Sequence, residues 1–126
     1  MLVEFKDFLK TLNVGDYFSI GKIDSTKDKS IGVYGDSTSN RIESIGKESS
    51  YDIANIRVLV HWNKNLRETE IAARSIFEQL RYKTKFYIGN IFIDLIDLTT
   101  NEPIFVGTDN EGIYEYVITL RLYYRR

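Results

Sequence analysis

The clearest strand signal in this chain lies in residues 51–63, which read Tyr-Asp-Ile-Ala-Asn-Ile-Arg-Val-Leu-Val-His-Trp-Asn. Side chains alternate along it, so that Ile56, Val58 and Val60 share one face while Arg57 and His61 lie on the other. Such alternation is typical of a strand with one face buried against a core. The sequence therefore predicts a half-buried strand here.

A helix is predicted directly after this strand. Asn65 and Glu68 have the spacing of a helix start, in which a polar side chain precedes an acid by three positions. Apolar residues then recur at helical intervals through Ile76 and Leu80, and the helix is expected to end near Arg81. A second helix is predicted at the amino terminus, ending before Gly15, from the apolar stripe Leu2, Phe5, Phe8, Leu9 and Leu12.

Most of the remaining chain has the composition of β-strands. Residues 17–23 and 30–34 predict a hairpin, and residues 85–88 and 91–98 predict two strands around the turn signal Gly89-Asn90. Residues 104–106 and 113–124 flank a polar, glycine-bounded turn. The order α, β, β, loop, β, α, then three or four β predicts an α+β fold, a mostly antiparallel sheet with two packed helices. We expect one domain over residues 1–126, with a flexible loop at about residues 35–50.

Composition excludes several classes of function. The 126 residues carry a formal net charge of -1, so the chain has no excess of positive charge with which to bind duplex DNA or an anionic membrane. The absence of cysteine excludes disulfides and thiolate metal sites. The apolar runs are strand-sized, far shorter than a bilayer span, and the amino terminus lacks a signal-peptide pattern. Synthesis in a cytoplasm is therefore expected, with no membrane partner.

Residues with catalytic potential are few. His61 is the only histidine, no partner acid lies near it in sequence, and a surface or cross-strand polar role is favoured over catalysis. Asp109, Asn110 and Glu111 fall on a predicted turn, where the spacing favours Asx-turn hydrogen bonds over a cation site. We therefore expect no enzymatic activity, no cofactor and no metal.

Two clusters mix basic and aromatic residues. One contains Arg81, Lys83 and Tyr87, and the other contains Tyr123 and Tyr124 at the carboxyl terminus. This mixture suits either a single strand of nucleic acid or the rim of a protein interface. The near-zero net charge favours the protein interface. The serine-rich segment at residues 35–50 is either a binding element or a connecting loop without a function of its own.

The carboxyl-terminal third resembles a known family. Its residues match the pattern P-x-x-V-G-x-D-x-x-G-x-Y-E-Y and read Pro103-Ile104-Phe105-Val106-Gly107-Thr108-Asp109-Asn110-Glu111-Gly112-Ile113-Tyr114-Glu115-Tyr116, with Leu122-Tyr123-Tyr124 at the close. This ending is similar to that of minor capsid proteins encoded by long-tailed phages and prophages of Gram-positive bacteria. The family resembles the siphophage tail terminators, relatives in fold of the lambda tail terminator. The strand, polar joint and helix over residues 51–80 resemble the core of the same family.

The resemblance implies a structural virion protein without enzymatic activity. Such a subunit forms a hexameric ring on the head-proximal end of the tail tube, stops tube polymerisation and offers a surface for head–tail joining. The implied partners are further copies of the chain, the tail tube protein and a head-completion or neck protein, and DNA passes through the channel without specific binding. The alternatives are another neck or head-completion protein, or a single-stranded nucleic-acid-binding module.

The resemblance also implies places for candidate interface residues. Tyr114 and Tyr116 would lie in the ring-forming body, while Ser39, Arg41 and Glu43 would lie in a loop that contacts the tube or lines the channel. With the two basic and aromatic clusters, the candidate interface residues are Arg81, Lys83, Tyr87, Tyr114, Tyr116, Tyr123, Tyr124, Ser39, Arg41 and Glu43.

Overall fold

A computed structural model describes residues 1–36 and 51–125. It contains two helices, α1 (Leu2–Lys10) and α2 (Leu66–Leu80). The strands are β1 (Tyr17–Ile20), β2 (Ser30–Gly35), β3 (Tyr51–His61), β4 (Thr84–Ile88), β5 (Ile91–Leu98), β6 (Ile104–Thr108) and β7 (Tyr114–Arg125). The α+β prediction and the order of elements are confirmed, with four strands after α2. Most of the predicted loop, with Ser39, Arg41 and Glu43, lies outside the described residues.

The strands form one sheet in the order β1-β2-β3-β7-β5-β4, and β6 also pairs with β7. Strand β3 pairs along nearly the whole of one side of β7. The other side of β7 is shared, because β6 pairs with its first residues and β5 with its last. Every pairing is antiparallel except that of β1 with β2. The predicted mostly antiparallel sheet is therefore confirmed.

The core lies between one face of the sheet and the two helices. The alternation predicted for β3 is confirmed, since Ile56, Val58 and Val60 have no exposed surface. Helix α1 contributes Phe5 and Leu9 to the same cluster, and α2 contributes Ala73, Ile76, Phe77 and Leu80. Neither α1 nor α2 lies on the opposite face, so among the described residues the polar side chains on that face are held by their neighbours within the sheet.

Helix α2 begins where the sequence predicts. The Asn65 side chain accepts a hydrogen bond from the Glu68 backbone N–H at 3.1 Å, which satisfies one of the free donors in the first turn. The helix ends at Leu80, and Arg81 already has an extended backbone. Within the two described ranges, no helix is long and apolar enough to cross a membrane.

The hairpin predicted for β1 and β2 is wrong, because these strands run parallel. Residues 21–29 carry the chain back to the start of β1 before β2 begins. The backbone N–H groups of Asp16 and Tyr17 both donate to the Lys29 carbonyl, at 2.8 and 3.3 Å. Parallel and antiparallel neighbours show the same alternation of side chains, so the sequence pattern could not distinguish them.

Helix α1 ends at Lys10, before Gly15, as the sequence predicts. Gly15 has a φ of +95°, and a Cβ on it would lie 2.8 Å from Cγ1 of Ile31. Glycine is therefore required where the chain passes β2, both for its backbone conformation and for the close approach.

Candidate assembly surfaces

His61 is the centre of a polar cluster on the face of the sheet without helices. It ends β3 and lies directly opposite Glu115 of β7 in the strand register. Its Nδ1 is 2.8 Å from Oε2 of Glu115 and 3.7 Å from Oδ2 of Asp109, while its Nε2 is 3.2 Å from the Ser25 carbonyl oxygen. The side chain has no exposed surface, so the predicted cross-strand role is confirmed and the surface location is wrong.

Both ring nitrogens of His61 thus face acceptor oxygens. A ring nitrogen that carries a proton donates to the oxygen it faces, so the ring connects β3 to Glu115 or to Ser25. No ring nitrogen is directed at solvent, where a substrate would have to approach a general base. The cluster holds four segments of chain together.

Asp109 organises the turn between β6 and β7. Its Oδ1 accepts hydrogen bonds from the backbone N–H groups of Glu111 and Ile113, both at 2.9 Å. The turn closes through Gly112, which has a φ of +82° and donates to the Asp109 carbonyl. The predicted Asx-turn chemistry is therefore confirmed. The buried Oδ2 has no hydrogen-bond partner and faces His61, which links the turn electrostatically to the sheet.

Tyr34 of β2 lies close enough to this cluster to be affected by it. Burial is the main cause that raises the pKa of the Tyr34 phenol, and the negative charge of Glu115 raises it further, while Arg57 acts in the opposite direction. Tyr34 and Arg57 are directly opposite each other in the β2–β3 register. Polar and charged side chains therefore lie on three neighbouring strands of this face, β2, β3 and β7.

Two predicted clusters are brought together at the carboxyl-terminal end of β7. The Tyr87 ring packs edge-on against Phe92 at 5.2 Å between centroids, and the Arg125 guanidinium lies 4.6 Å from the same Phe92 ring. Tyr123 and Tyr124 pair with Leu95 and Ile93 of β5 in the same region. The side chain of Tyr87 is exposed. Tyr87, Phe92 and Arg125, which lie far apart in sequence, thus form one basic and aromatic group, while Tyr124 packs against the core.

Arg81 and Lys83 lie next to this group, at the start of the β4–β5 hairpin. The Arg81 guanidinium is 4.9 Å from the Tyr82 ring centroid and 3.3 Å from a carboxylate oxygen of Glu78. The Lys83 ammonium is 5.2 Å from the Phe86 ring centroid. Both cations are therefore already placed over aromatic rings of the chain itself.

Tyr114 and Tyr116 lie at the other end of β7, beside β6. The Phe105 ring of β6 packs against both, with centroids at 6.2 Å from Tyr114 and 5.3 Å from Tyr116. Tyr116 is buried, and this burial is the main cause that raises the pKa of its phenol. The predicted interface residues therefore divide between the two ends of β7.

Sequence reasoning missed an exposed apolar run on the sheet, in β6. Three consecutive residues of β6 have about half or slightly less of their surface exposed: Ile104 at 42%, Phe105 at 50% and Val106 at 50%. The signal was present as a short, uncharged run of β-formers, Ile-Phe-Val-Gly-Thr, but such a run is equally typical of a buried strand. Only the pairing of β6 on one side identifies it as an exposed edge.

Comparison with known proteins identifies the family. A family model described as bacteriophage tail terminator protein matches residues 8–126. No curated protein shows a significant match to this chain. The match covers nearly the whole chain and includes both the β3–α2 core and the β6–β7 ending from which the resemblance was inferred. The chain therefore belongs to the bacteriophage tail terminator family, a family of phage structural proteins.

Proposed function

We propose that copies of this chain form a ring that caps the head-proximal end of a phage tail tube. The ring stops polymerisation of the tube and offers its other face to the proteins that join the tail to the filled head. The observation that carries this proposal is the family match over residues 8–126. The resemblance of the carboxyl-terminal third to siphophage proteins supports six copies in the ring, assembled in the bacterial cytoplasm and retained in the virion.

The physical properties of the chain support assembly. A closed ring needs two different patches on each subunit, and the described sheet leaves strand edges unpaired on opposite sides. A formal net charge of -1 produces little repulsion when several copies meet. The whole chain then acts as one structural unit, through whose ring DNA passes without specific binding.

A structural role without enzymatic activity fits the chemistry of the chain. His61, the only histidine, has no exposed surface, and protein oxygen atoms face both of its ring nitrogens. We therefore assign the His61 cluster to stability of the subunit.

Interruption of the gene in its phage or prophage tests this function. Electron microscopy should show overlong tails without heads beside filled heads, and the wild-type gene supplied in trans should restore normal length. Added to polymerising tail tube protein, the purified chain should shorten the tubes. Tails of normal length that fail to join heads would assign the chain to another position in the neck, and normal virions would contradict both assignments.

We assign the surface around Arg81, Lys83 and Tyr87 to contact with a neighbouring protein. Arg81 lies over the Tyr82 ring and Lys83 over the Phe86 ring of the same chain. Arginine and tyrosine are enriched in protein interfaces. Titration of a labelled single-stranded oligonucleotide at low salt should then show no salt-dependent binding. Binding that weakens steeply with added salt would instead favour a nucleic-acid partner.

A further inference from the structure

The unpaired strand edges of the sheet differ in charge. Within the part of the chain that the structure describes, β1, β4 and β6 each pair on one side only. Strand β4 carries the exposed Lys85, which has a φ of +52° and is missing from the ladder with β5. Charge and irregularity of this kind protect a sheet edge from pairing with another chain. The edge of β4 is thus protected.

Strands β1 and β6 lack the charge that protects β4, and β6 shares only the irregularity, since Val106 is missing from its ladder with β7. Their sequences, Tyr-Phe-Ser-Ile and Ile-Phe-Val-Gly-Thr, contain no charged residue and no proline. Both expose apolar side chains, with Tyr17 at 49% and Ile20 at 38% on β1 beside the exposed Ile104, Phe105 and Val106 of β6. An uncharged, apolar edge is a template for strand addition unless something covers it.

The two unprotected edges lie at the same level on opposite sides of the sheet. The register connects them through one row, in which Tyr17 pairs with Ser30, Ser30 with His61, His61 with Glu115, and Glu115 with Gly107. In a head-to-tail contact, one edge of a subunit meets the other edge of the next identical subunit. Such a contact requires two edges on opposite sides of the sheet at the same level, as β1 and β6 are.

The strand directions also agree. β1 runs in the same direction as β7, because it is parallel to β2 and two antiparallel steps separate β2 from β7. β6 is antiparallel to β7 and so runs opposite to β1. If the ring axis runs along the strands, the rotation that relates one copy to the next leaves the direction of each strand unchanged. β6 of one copy and β1 of the next would therefore meet as an antiparallel pair.

Charge complementarity supports this pairing. Glu102 precedes β6 and Lys22 follows β1, so antiparallel pairing places them at the same end of the joined strands. Both side chains are exposed, and Glu102 makes only a surface ion pair with Arg74 at 3.4 Å. The other end of β1 carries exposed charges of both signs, Asp16 and Lys27, so the charge there does not select one register. At the end where Lys22 and Glu102 lie, the opposite charges attract each other, and this pair therefore favours one register.

We propose that β6 of one copy adds to β1 of the next copy as an antiparallel strand, so that the sheet continues from subunit to subunit around the ring. The occupant of the apolar β6 edge is thus a second copy of this chain. The proposal rests on the proposed function and specifies its subunit contact. Main-chain hydrogen bonds supply the affinity of such a contact, and the Lys22–Glu102 pair supplies its register.

Cysteine cross-linking in assembled tails tests the contact directly. The chain contains no cysteine, so Ser19→Cys with Ile104→Cys introduces the only two thiols. These residues lie level and on the same face of the sheet, because the rows of both reach Val117 of β7. Tails carrying the double variant, treated with a short thiol cross-linker, should yield chains linked in series, with bands at multiples of the subunit mass. The control pair Ile71→Cys with Ile104→Cys uses an exposed helix residue and should yield no series.

A charge swap supplies a second test that does not depend on cross-linking. Lys22→Glu and Glu102→Lys should each lower the fraction of capped tubes, and the two together should restore it. Circular dichroism checks that each variant folds. Tails of normal length without links between copies, links to the tail tube protein instead, or a double swap as defective as the single swaps would overturn the proposal.

These outcomes separate the contact from the function. If linked rings form in solution and tube length does not respond to them, the strand contact stands and the terminator role fails. If tubes are capped normally while copies remain unlinked, the terminator role stands and the strand contact fails.

Discussion

Nδ1 of His61 lies 2.8 Å from Oε2 of Glu115, although 54 positions separate the two residues in the chain. They are direct partners in the ladder between β3 and β7, the two longest strands of the sheet. Since His61 has no exposed surface, the pair is shielded from solvent far better than an ion pair on the protein surface. Asp109 and the Ser25 carbonyl complete the cluster, which therefore connects the turns at both sides of the sheet.

Removal of the imidazole should destabilise the subunit strongly. His61→Ala leaves the carboxylates of Glu115 and Asp109 without their common partner and opens a cavity, so we expect a loss of about 2–4 kcal/mol in the free energy of unfolding. Urea denaturation measures this loss. Arg57→Ala, a change at an exposed position on the same face of β3, is the matched control and should cost well under about 1 kcal/mol. Equal stabilities of the two variants would contradict the assignment of His61.

The two oxygens of Asp109 have separable roles. Asp109→Asn keeps an oxygen that accepts from the Glu111 and Ile113 N–H groups but removes the charge that faces His61. Asp109→Ala removes both the acceptor oxygen and the charge. It should therefore lower the free energy of unfolding by about 1–2 kcal/mol more than Asp109→Asn does. Hydrogen exchange at the amides of Glu111 and Ile113 should accelerate in Asp109→Ala and change little in Asp109→Asn. Equal acceleration in both variants would mean that charge alone holds the turn.

Local features of this fold could be predicted from the sequence, whereas the pairing and direction of its strands could not. The alternation in β3 and the Asn65 cap of α2 are local signals, and both were read correctly. The pairing of His61 with Glu115 depends on which strands become neighbours, and nothing near His61 in sequence indicates its partner. The parallel direction of β1 was missed for a related reason, because alternation does not encode strand direction.

The candidate site was predictable to a lesser extent. The resemblance predicts Tyr114 and Tyr116 as interface residues, and the structure places both against Phe105 of β6. The exposure of Phe105 itself follows from the one-sided pairing of β6, a property of the assembled sheet that a short apolar run does not reveal. Composition identified aromatic residues, and topology determines which of them are available for contact.

Gly112 should be intolerant of a side chain for reasons of backbone conformation alone. Its φ is +82°, and no atom lies within 4 Å of the position where a Cβ would be. Gly112→Val should therefore cost about 1–2 kcal/mol through strain in the left-handed region, without any steric clash. Gly35→Ala is the control, since a Cβ there meets only Leu2 at 4.0 Å. Thermal unfolding compares the two, and an unchanged melting temperature for Gly112→Val would show that the turn relaxes.

The cap of α2 allows a prediction at a single hydrogen bond. Asn65→Ala removes the acceptor for the Glu68 N–H and should cost about 1 kcal/mol in the free energy of unfolding. Asn65→Asp retains an acceptor oxygen and adds a negative charge at the positive end of the helix dipole, so it should preserve stability or increase it. Chemical denaturation distinguishes these outcomes. A loss in Asn65→Asp equal to that in Asn65→Ala would mean that the amide nitrogen, not the oxygen, is important.

The half-buried phenol of Tyr34 and the buried phenol of Tyr116 should make the fold sensitive to alkaline pH. Burial is the first cause that raises the pKa of both Tyr34 and Tyr116 above the ordinary value of 10.0. The folded state therefore holds these protons more tightly than the unfolded state does. Their contribution to stability is complete below about pH 10 and is lost as the pH rises through the folded-state pKa values.

Tyrosine-to-phenylalanine variants isolate this effect. The combined change Tyr34→Phe and Tyr116→Phe should reduce the fall in melting temperature between pH 8 and pH 11, because neither ring then has a proton to lose. Tyr82→Phe alters a phenol that is 81% exposed and should leave the alkaline slope unchanged. If the double variant kept the wild-type slope, other groups would have to account for the alkaline loss. If Tyr82→Phe reduced the slope as much, the explanation by burial would fail.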